Sequence, residues 1–392
     1  MNHPALATPD VLVIGAGITG TSAALEIARA GGSVEVIDTY GPAAMASGWT
    51  LAGVRQSGRH PAELPLALAA VALWQDLHED LGAPTGYRRS GNLRLARTDA
   101  EVATIRALVE DQTRAGLQLS FLPDLTSVRE IAPALSDRVL AASFCPSDGH
   151  ADPLATVTAY ANRAESLGAR LSFGERVLRL EAEGGRIVRV VTDRRTLSPG
   201  TVLIAAGFLV NELLAPLGHG IPLRRPMVTV LRSVPCPPLL TPVLGVANAN
   251  MAARQENDGR MRVTSGMEEW AGEIVETSGR PTIRPRMRAL GETIAKVAEV
   301  LPGFAEVELA ECWAGALDLT PDALPVIDRL PGLDNAVVAA GFSGHGFGIG
   351  PVTGPIAGRI ALGREPGHDV SAFRYGRFAA QTGPDAPLTL HG

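Results

Sequence analysis

The stretch DVLVIGAGITGTSAALEIARAGGSVEVID, residues 10–38, carries the reading of the fold. Asp10–Ile14 is a short apolar run rich in Val and Ile, the pattern of a strand buried on both faces of a parallel sheet. The turn Gly15-Ala16-Gly17-Ile18-Thr19-Gly20 follows, and Thr21–Ala30 then has helical spacing with a stop at Gly31-Gly32. Ser33–Asp38 repeats the strand pattern. In such a unit the first glycine permits the tight turn, the second lets the backbone approach a pyrophosphate, and the third allows close packing of helix on strand. The helix N-terminus offers N–H groups and a positive dipole end to phosphates. Asp38 is placed to accept hydrogen bonds from an adenosine ribose and would repel a 2′-phosphate. A bare GxGxxG is a weak signal, but this one has its strand, its helix and its acidic residue.

Further along, the spacing predicts helices over Leu64–Leu81, Ala100–Ala115 and Asp152–Leu167, the last with Asp152 as N-cap. Arg176–Glu181, Ile187–Thr192, Thr201–Ala205 and Met261–Ser265 read as strands, Val234–Pro242 as a loop, and Thr282–Val300 as mostly helical. The strand Ala336–Ala340 runs into a second glycine-rich stretch, Gly341 to Gly350, followed by a helix to Leu362. Five glycines in those ten positions, between an apolar strand and a helix, suggest backbone packed against something flat or bulky. Pro351 suits the first turn of the following helix. If both glycine-rich turns line one cofactor, its domain is assembled from the two ends of the chain.

Two segments between them carry polar chemistry. Ala46-Ser47-Gly48 leads to Gly53-Val54-Arg55-Gln56-Ser57-Gly58-Arg59-His60, where Arg55 or Arg59 could hold a carboxylate bidentately. Glu311-Cys312-Trp313-Ala314-Gly315 through Thr320-Pro321-Asp322-Ala323-Leu324-Pro325-Val326 reads, from residue types, as a structured turn at a domain junction.

The composition narrows the function classes. The 392 residues suggest two or three domains at roughly 150 residues each. With 46% hydrophobic residues, a net charge of −6 and no Lys/Arg-rich run, the chain can bury a large core and lacks the basic face that nucleic acid requires. Cys145, Cys236 and Cys312 are far apart, with no metal or redox spacing, which favours a reducing compartment. No signal-peptide pattern opens the chain, and no apolar run reaches the roughly 20 residues that span a bilayer, so a cytoplasmic protein is expected. A single lysine, Lys296, stands against 34 arginines. Schiff-base and P-loop chemistry, which need a positioned lysine, are disfavoured.

Together these segments resemble the D-amino-acid oxidase superfamily of flavoproteins, in its sarcosine-oxidase-like and D-amino-acid-dehydrogenase-like branch. DVLVIGAGITGTSAALEIARAG resembles the FAD-binding start, and GERVLRLE and TVLIAAG the inner strands of the FAD domain. WAGALDLTPDALPVID is similar to the domain-return segment, and AAGFSGHGFGIGPVTG to the flavin-contacting loop, the more specific of the strings. The resemblance implies an α/β plus α+β fold of glutathione-reductase type, with a discontinuous Rossmann-like FAD-binding domain (1–85, 146–225 and 319–392) and a mixed-sheet substrate domain (86–145 and 226–318). It implies cofactor contacts at Gly15, Gly17, Ile18, Thr19, Gly20, Asp38, Thr39, Ala46, Ser47, Gly48, Val177, Ala206, Gly207, Gly341, Gly344, His345, Gly346, Phe347 and Gly348. It also implies oxidation of the C–N bond of an amino acid or secondary amine by hydride transfer to flavin N5, giving an imine that hydrolyses. A D-amino acid, N-substituted glycine, imino acid or opine is the expected substrate.

This chain departs from that pattern in ways that matter. Monomeric sarcosine oxidases carry a substrate-binding lysine where Gly348 stands, and they use another lysine near the flavin for oxygen activation. Glycine-oxidase-like members have a carboxylate-binding arginine where Asp318 stands. Asp318 could face a substrate ammonium or hydrogen-bond within its turn. Arg55 matches an arginine that sarcosine oxidases use, and Arg55, His345 and Gly346 are the expected catalytic group. The flavin-tethering cysteine of that branch would fall near Gly315 rather than Cys312, and the tethering histidine of multisubunit members near Ala151 rather than His150. Non-covalent FAD is expected. The lysine scarcity favours a dehydrogenase passing electrons to a quinone or carrier protein over an oxidase using O2. Other readings are a partner-dependent or non-catalytic FAD-binding subunit, and an NAD-dependent dehydrogenase built on the same glycine turn.

Overall fold

The computed structural model describes residues 8–270 and 272–380. Its organising layer is a six-stranded sheet in the order Val326–Arg329, Ala336–Ala340, Thr201–Ile204, Val11–Ile14, Val34–Asp38, Arg170–Phe173. Five neighbouring strands, from Ala336–Ala340 to Arg170–Phe173, run parallel, and Val326–Arg329 joins the sheet antiparallel at one edge. Val11–Ile14 and Ala336–Ala340 are buried along their whole length, because helices and an antiparallel layer cover both faces of the sheet. The helix predicted from Thr21 begins three residues earlier, at Ile18, and runs to Arg29. The helices Leu64–Leu81 and Pro153–Ser166 match expectation, the second with the Asp152 carboxylate accepting the Ala155 N–H at 2.8 Å.

A second, eight-stranded mixed sheet has the order Leu309–Ala316, Pro226–Pro235, Arg260–Glu269, Met251–Gln255, Val243–Val246, Asn92–Ala96, Ala141–Cys145, Ser120–Leu122. Only the Val243–Val246 and Asn92–Ala96 pair is parallel within it. Most of these strands were not legible as such, and the segment read as a junction turn from Glu311 is in fact the edge strand up to Ala316. Strand alternation makes the two faces of the sheet different. The row Leu231, Val263, Ala253, Leu244, Leu93 lies in one apolar cluster with Val297 and Val300 of the helix Met287–Val300. The neighbouring row, Arg232, Arg262, Arg254, belongs to the opposite face.

The second glycine-rich stretch departs most from its sequence reading. The C-terminal helix begins at Gly346, inside the glycine run, and extends to Ala361. Pro351 is therefore the sixth helical residue, not a first-turn residue. The glycines serve contact between helices. A Cβ on Gly350 would lie 2.3 Å from Ile18, one on Gly354 1.8 Å from the Ser22 hydroxyl, and one on Gly358 3.0 Å from the Ala23 carbonyl oxygen. The spacing of four residues puts these positions on one helix face, and the first helix lies against them. The Ser22 hydroxyl sits 3.0 Å from the Gly350 carbonyl across this crossing. Trp74, fully buried, donates its indole N–H to the Gly348 carbonyl at 2.8 Å and pins the third helix of the layer.

Gly354→Val places a branched side chain against Ser22 and the Thr19 carbonyl, and should cost about 1–3 kcal/mol or more by overpacking. Gly291→Ala, in a helix where an added Cβ meets nothing within 4 Å, should stabilise by about 0.5–1 kcal/mol. Urea unfolding of the two variants beside the wild type checks both signs.

Candidate active site

One elongated cavity of about 350 Å³ runs between the two sheets. At one end Gly15, Gly17, Ile18, Thr19 and Gly20 form its wall with Asp38 and Thr39, and Val177 closes the side. Ala46, Ser47, Ala206 and Gly207 line it as well. At the other end Gly344, Gly346 and Phe347 face Val228, Val230 and Thr264 of the eight-stranded sheet. The two distant glycine-rich segments thus meet on one cavity.

The local geometry suits an anionic, dinucleotide-shaped molecule. Gly15 has φ +112°, and a Cβ there would fall 2.3 Å from the Ala205 carbonyl oxygen. A Cβ on Gly20 would lie 2.0 Å from the Gly15 oxygen. The first helix starts at Gly17 without a side-chain cap and with no acid in its first turn. Its Ile18 N–H is met by the Ser47 hydroxyl at 3.0 Å. Asp38 accepts the N–H groups of Ala16, Tyr40 and Gly41 at 2.7–2.8 Å, locking the glycine turn to the end of the second strand. The start of the C-terminal helix also abuts the cavity, again with no acid in its first turn. A second positive dipole end therefore stands near the sheet-covered end. The glycine turn with its helix terminus and the apolar stretch covered by the second sheet fit a cofactor carrying a pyrophosphate and a flat ring.

Five of the predicted residues lie off the walls of this cavity. Gly48 is required by its turn, since a Cβ would sit 1.9 Å from the Ala43 oxygen. Gly348 packs against the Gly53 carbonyl. Gly341, with φ +72°, donates its N–H to Asp318 at 2.8 Å. Asp318 itself lines the cavity, and burial pushes its carboxyl up to about 6 against the lowering effect of those backbone donors. It therefore makes the hydrogen bond within the turn that its sequence position allowed.

Arg55 and His345 sit together in a buried polar cluster beside Gly344 and Gly346. Arg55 donates to the Ser57 carbonyl at 2.7 Å. Arg59 lies 3.5 Å from Glu63, whose other carboxylate oxygen is 3.2 Å from His345 Nδ1. Arg94 and Asp148 complete the group, and Asp148 accepts the Gln56 N–H at 2.8 Å. Burial pushes the His345 imidazole down to about 4, and Arg59 beside it acts the same way. Burial raises the Glu63 carboxyl, but His345 and Arg59 outweigh it and keep it ionised. Sequence reasoning missed Glu63, which is separated from His345 by 282 positions and has no motif of its own.

On the arginine row of the eight-stranded sheet, like charges stand side by side, which is unfavourable unless compensated. Glu256 does this, reaching Arg232 at 2.8 Å, Arg262 at 2.7 Å and Arg254 at 3.2 Å. His150 Nδ1 lies 2.7 Å from Arg254. Arg262 also donates to the Thr50 carbonyl, behind the cavity wall. Thr264 and Val228 were not flagged in the sequence, because their inward direction follows from register.

The family profile described as FAD dependent oxidoreductase (DAO) matches residues 10–359. Human mitochondrial dimethylglycine dehydrogenase is 26% identical over 364 residues, 87% of this chain and 40% of that protein. The chain thus spans about two-fifths of the length of that relative. Glycine oxidase of Bacillus licheniformis is 26% identical over 365 residues, covering 90% of this chain and 93% of its own. Among solved structures, L-proline dehydrogenase from P. horikoshii superimposes with a TM-score of 0.86 at 27% identity, covering 95% of this chain and 98% of its own. The NAD-dependent reading of the glycine turn gives way to this match, which spans both glycine-rich ends. The chain belongs to the FAD-dependent oxidoreductase family.

Proposed function

We propose that this chain is a dehydrogenase of amino acids or secondary amines (D-amino acids, N-substituted glycines, imino acids or opines), with FAD held non-covalently. The observation that carries this reading is the juxtaposition of a cofactor-sized cavity with a buried cluster of three arginines, two acids and a neutral histidine. The glycine turn and Asp38 would hold the pyrophosphate and ribose, and Gly344–Phe347 the ring. Residues 1–85, 146–225 and 319–392 form the proposed FAD domain, and 86–145 and 226–318 the substrate domain, of which 1–7, 271 and 381–392 lie outside the described residues.

Bound FAD supplies a two-electron acceptor for the substrate C–N bond. The substrate leaves as an imine, which water hydrolyses to a carbonyl compound and an amine. Arg55 and Arg59 would anchor the substrate carboxylate, with burial strengthening each contact. His345, neutral at working pH, would take a hydrogen bond from the amine. The eight-stranded sheet excludes water from one side of the cavity. Two features favour a dehydrogenase with non-covalent flavin. Lys296 lies on the helix that packs against the far face of that sheet, away from the cavity. The wall position expected of a tethering cysteine is Gly315, while Cys312 is exposed. The partner-dependent subunit reading predicts no reaction by the isolated chain.

The purified yellow protein, made anaerobic, should bleach with at least one member of a panel of D- and L-amino acids, sarcosine, proline analogues and opines. Bleaching with none would leave the subunit reading ahead. Acid precipitation should release the flavin into the supernatant. Arg55→Gln should lower kcat/KM for the bleaching substrate by about 100-fold, and an unchanged value would remove Arg55 as the anchor.

His345 also makes stability depend on pH. Its folded pKa, about 4, lies below the ordinary histidine value, so its contribution is complete above pH 6.5 and is lost as pH falls towards 4. The stability difference between wild type and His345→Gln should change by up to about 3 kcal/mol across that window. Urea unfolding at pH 7 and pH 4 measures it.

A further inference from the structure

Six acids are buried among the described residues: Glu35, Glu63, Asp148, Glu175, Glu256 and Asp318. Five of them stand against arginine. Glu35 meets Arg170 and Arg195, Glu63 meets Arg59, Glu175 meets Arg195, and Glu256 bridges Arg232, Arg254 and Arg262. Asp148 feels the charge of Arg55. Asp318, 9% exposed, is the exception among the described residues, because the groups that steady its carboxylate are backbone N–H donors of the Gly341 turn. It also lines the cavity. Glu175 is the other buried acid on that wall, and Arg195 neutralises it at 3.0 Å.

A buried carboxylate without a counter-charge is costly, and backbone donors compensate it only in part. Burial pushes the Asp318 carboxyl up to about 6, as expected of an acid that no cation steadies. Its position is held on two sides. The Gly341 N–H reaches Oδ2 at 2.8 Å, and the Asp318 carbonyl accepts the Ser343 N–H at 3.2 Å. The wall around it is apolar and aromatic. Gly315, three residues before Asp318, abuts Trp49, whose ring stacks on Phe208 at 6.3 Å between centroids, and Phe342 follows Gly341. Aromatic side chains attract cations and exclude the water that would screen a charge pair. An acid without a counter-charge, on such a wall, is complementary to a positively charged ligand group.

We infer that Asp318 supplies the counter-charge for the ammonium of the substrate, so that the cavity selects cationic amines over neutral molecules of the same shape. An ammonium would meet the carboxylate through both charge and N–H donation. The inference rests on the amine-oxidation reading above and deepens it by naming the group that receives the nitrogen.

The test uses the FAD-loaded full chain at about pH 8, where a carboxyl at about 6 is ionised. Two probes of one shape, neither with a hydrogen on the substituted carbon to lose, are tert-butylammonium, still protonated at that pH, and neutral tert-butanol. Titration followed through the flavin absorbance spectrum should show the cation binding at least about tenfold more tightly than the alcohol, the worth of one hydrogen bond to a charged group. In Asp318→Asn, whose amide oxygen still accepts the Gly341 N–H, the ratio should fall to about threefold or less. Asp318→Thr, with an uncharged hydroxyl as acceptor, supplies the same measurement if the asparagine variant misfolds. Equal binding of the two probes in the wild type, binding of neither, or a ratio that survives loss of the carboxylate would overturn the inference. Bleaching by an amine together with equal binding of the probes would leave the oxidation reading standing. A cation preference that needs Asp318, with no bleaching by any amine, would sink the oxidation reading alone.

Discussion

The crossing of the first helix over the C-terminal helix is the constraint on which the rest of the molecule depends. Residues 18–29 and 346–361 can touch only because Gly350, Gly354 and Gly358 offer no side chain where Ile18, Ser22 and Ala23 press against them. Close packing there brings the starts of both helices to one cavity. Each start lacks an acid in its first turn, so two positive dipole ends face the same space. One lies at the glycine turn and the other at the second glycine-rich stretch. A larger side chain in the crossing would spread the two ends apart and lose both together.

Burial of charge is the second theme. Arg59, Arg94, Arg254 and Arg262 are nearly inaccessible, and each is surrounded by ionised or hydrogen-bonding groups. Removing such charges from water is costly, so they persist where geometry compensates them. Glu256 does so for the arginine row of the sheet, bridging three guanidinium groups. Glu63 does so between Arg59 and His345.

The relatives differ in the substrates their names record, although they share this architecture. That diversity agrees with the layout, because one set of cavity-lining residues lies on the six-stranded sheet and its turns. A second set, Val228, Val230 and Thr264, comes from the other sheet. Substitutions in the second set can change the substrate without disturbing the first. Asp318 illustrates the point, since its carboxylate serves the Gly341 turn from a position on the cavity wall.

Residues 10–38 by themselves determined the strand–turn–helix–strand unit, since each of its steps is local: apolar runs, glycines at fixed offsets and an acid at a strand end. The helices Leu64–Leu81 and Pro153–Ser166, and the strand Ala336–Ala340, were legible for the same reason. Apart from Met261–Ser265, the strands of the mixed sheet were not, because partners such as Leu231 and Val263, or Gly245 and Arg94, lie far apart in sequence and reveal their faces only through register. The purpose of the second glycine run was misjudged in part, because a glycine that admits a helix and one that admits a cofactor look alike in sequence. Tertiary structure alone brought Glu63 to His345 and Arg59 into the same buried cluster, since a contact across 282 positions leaves no periodic or local trace.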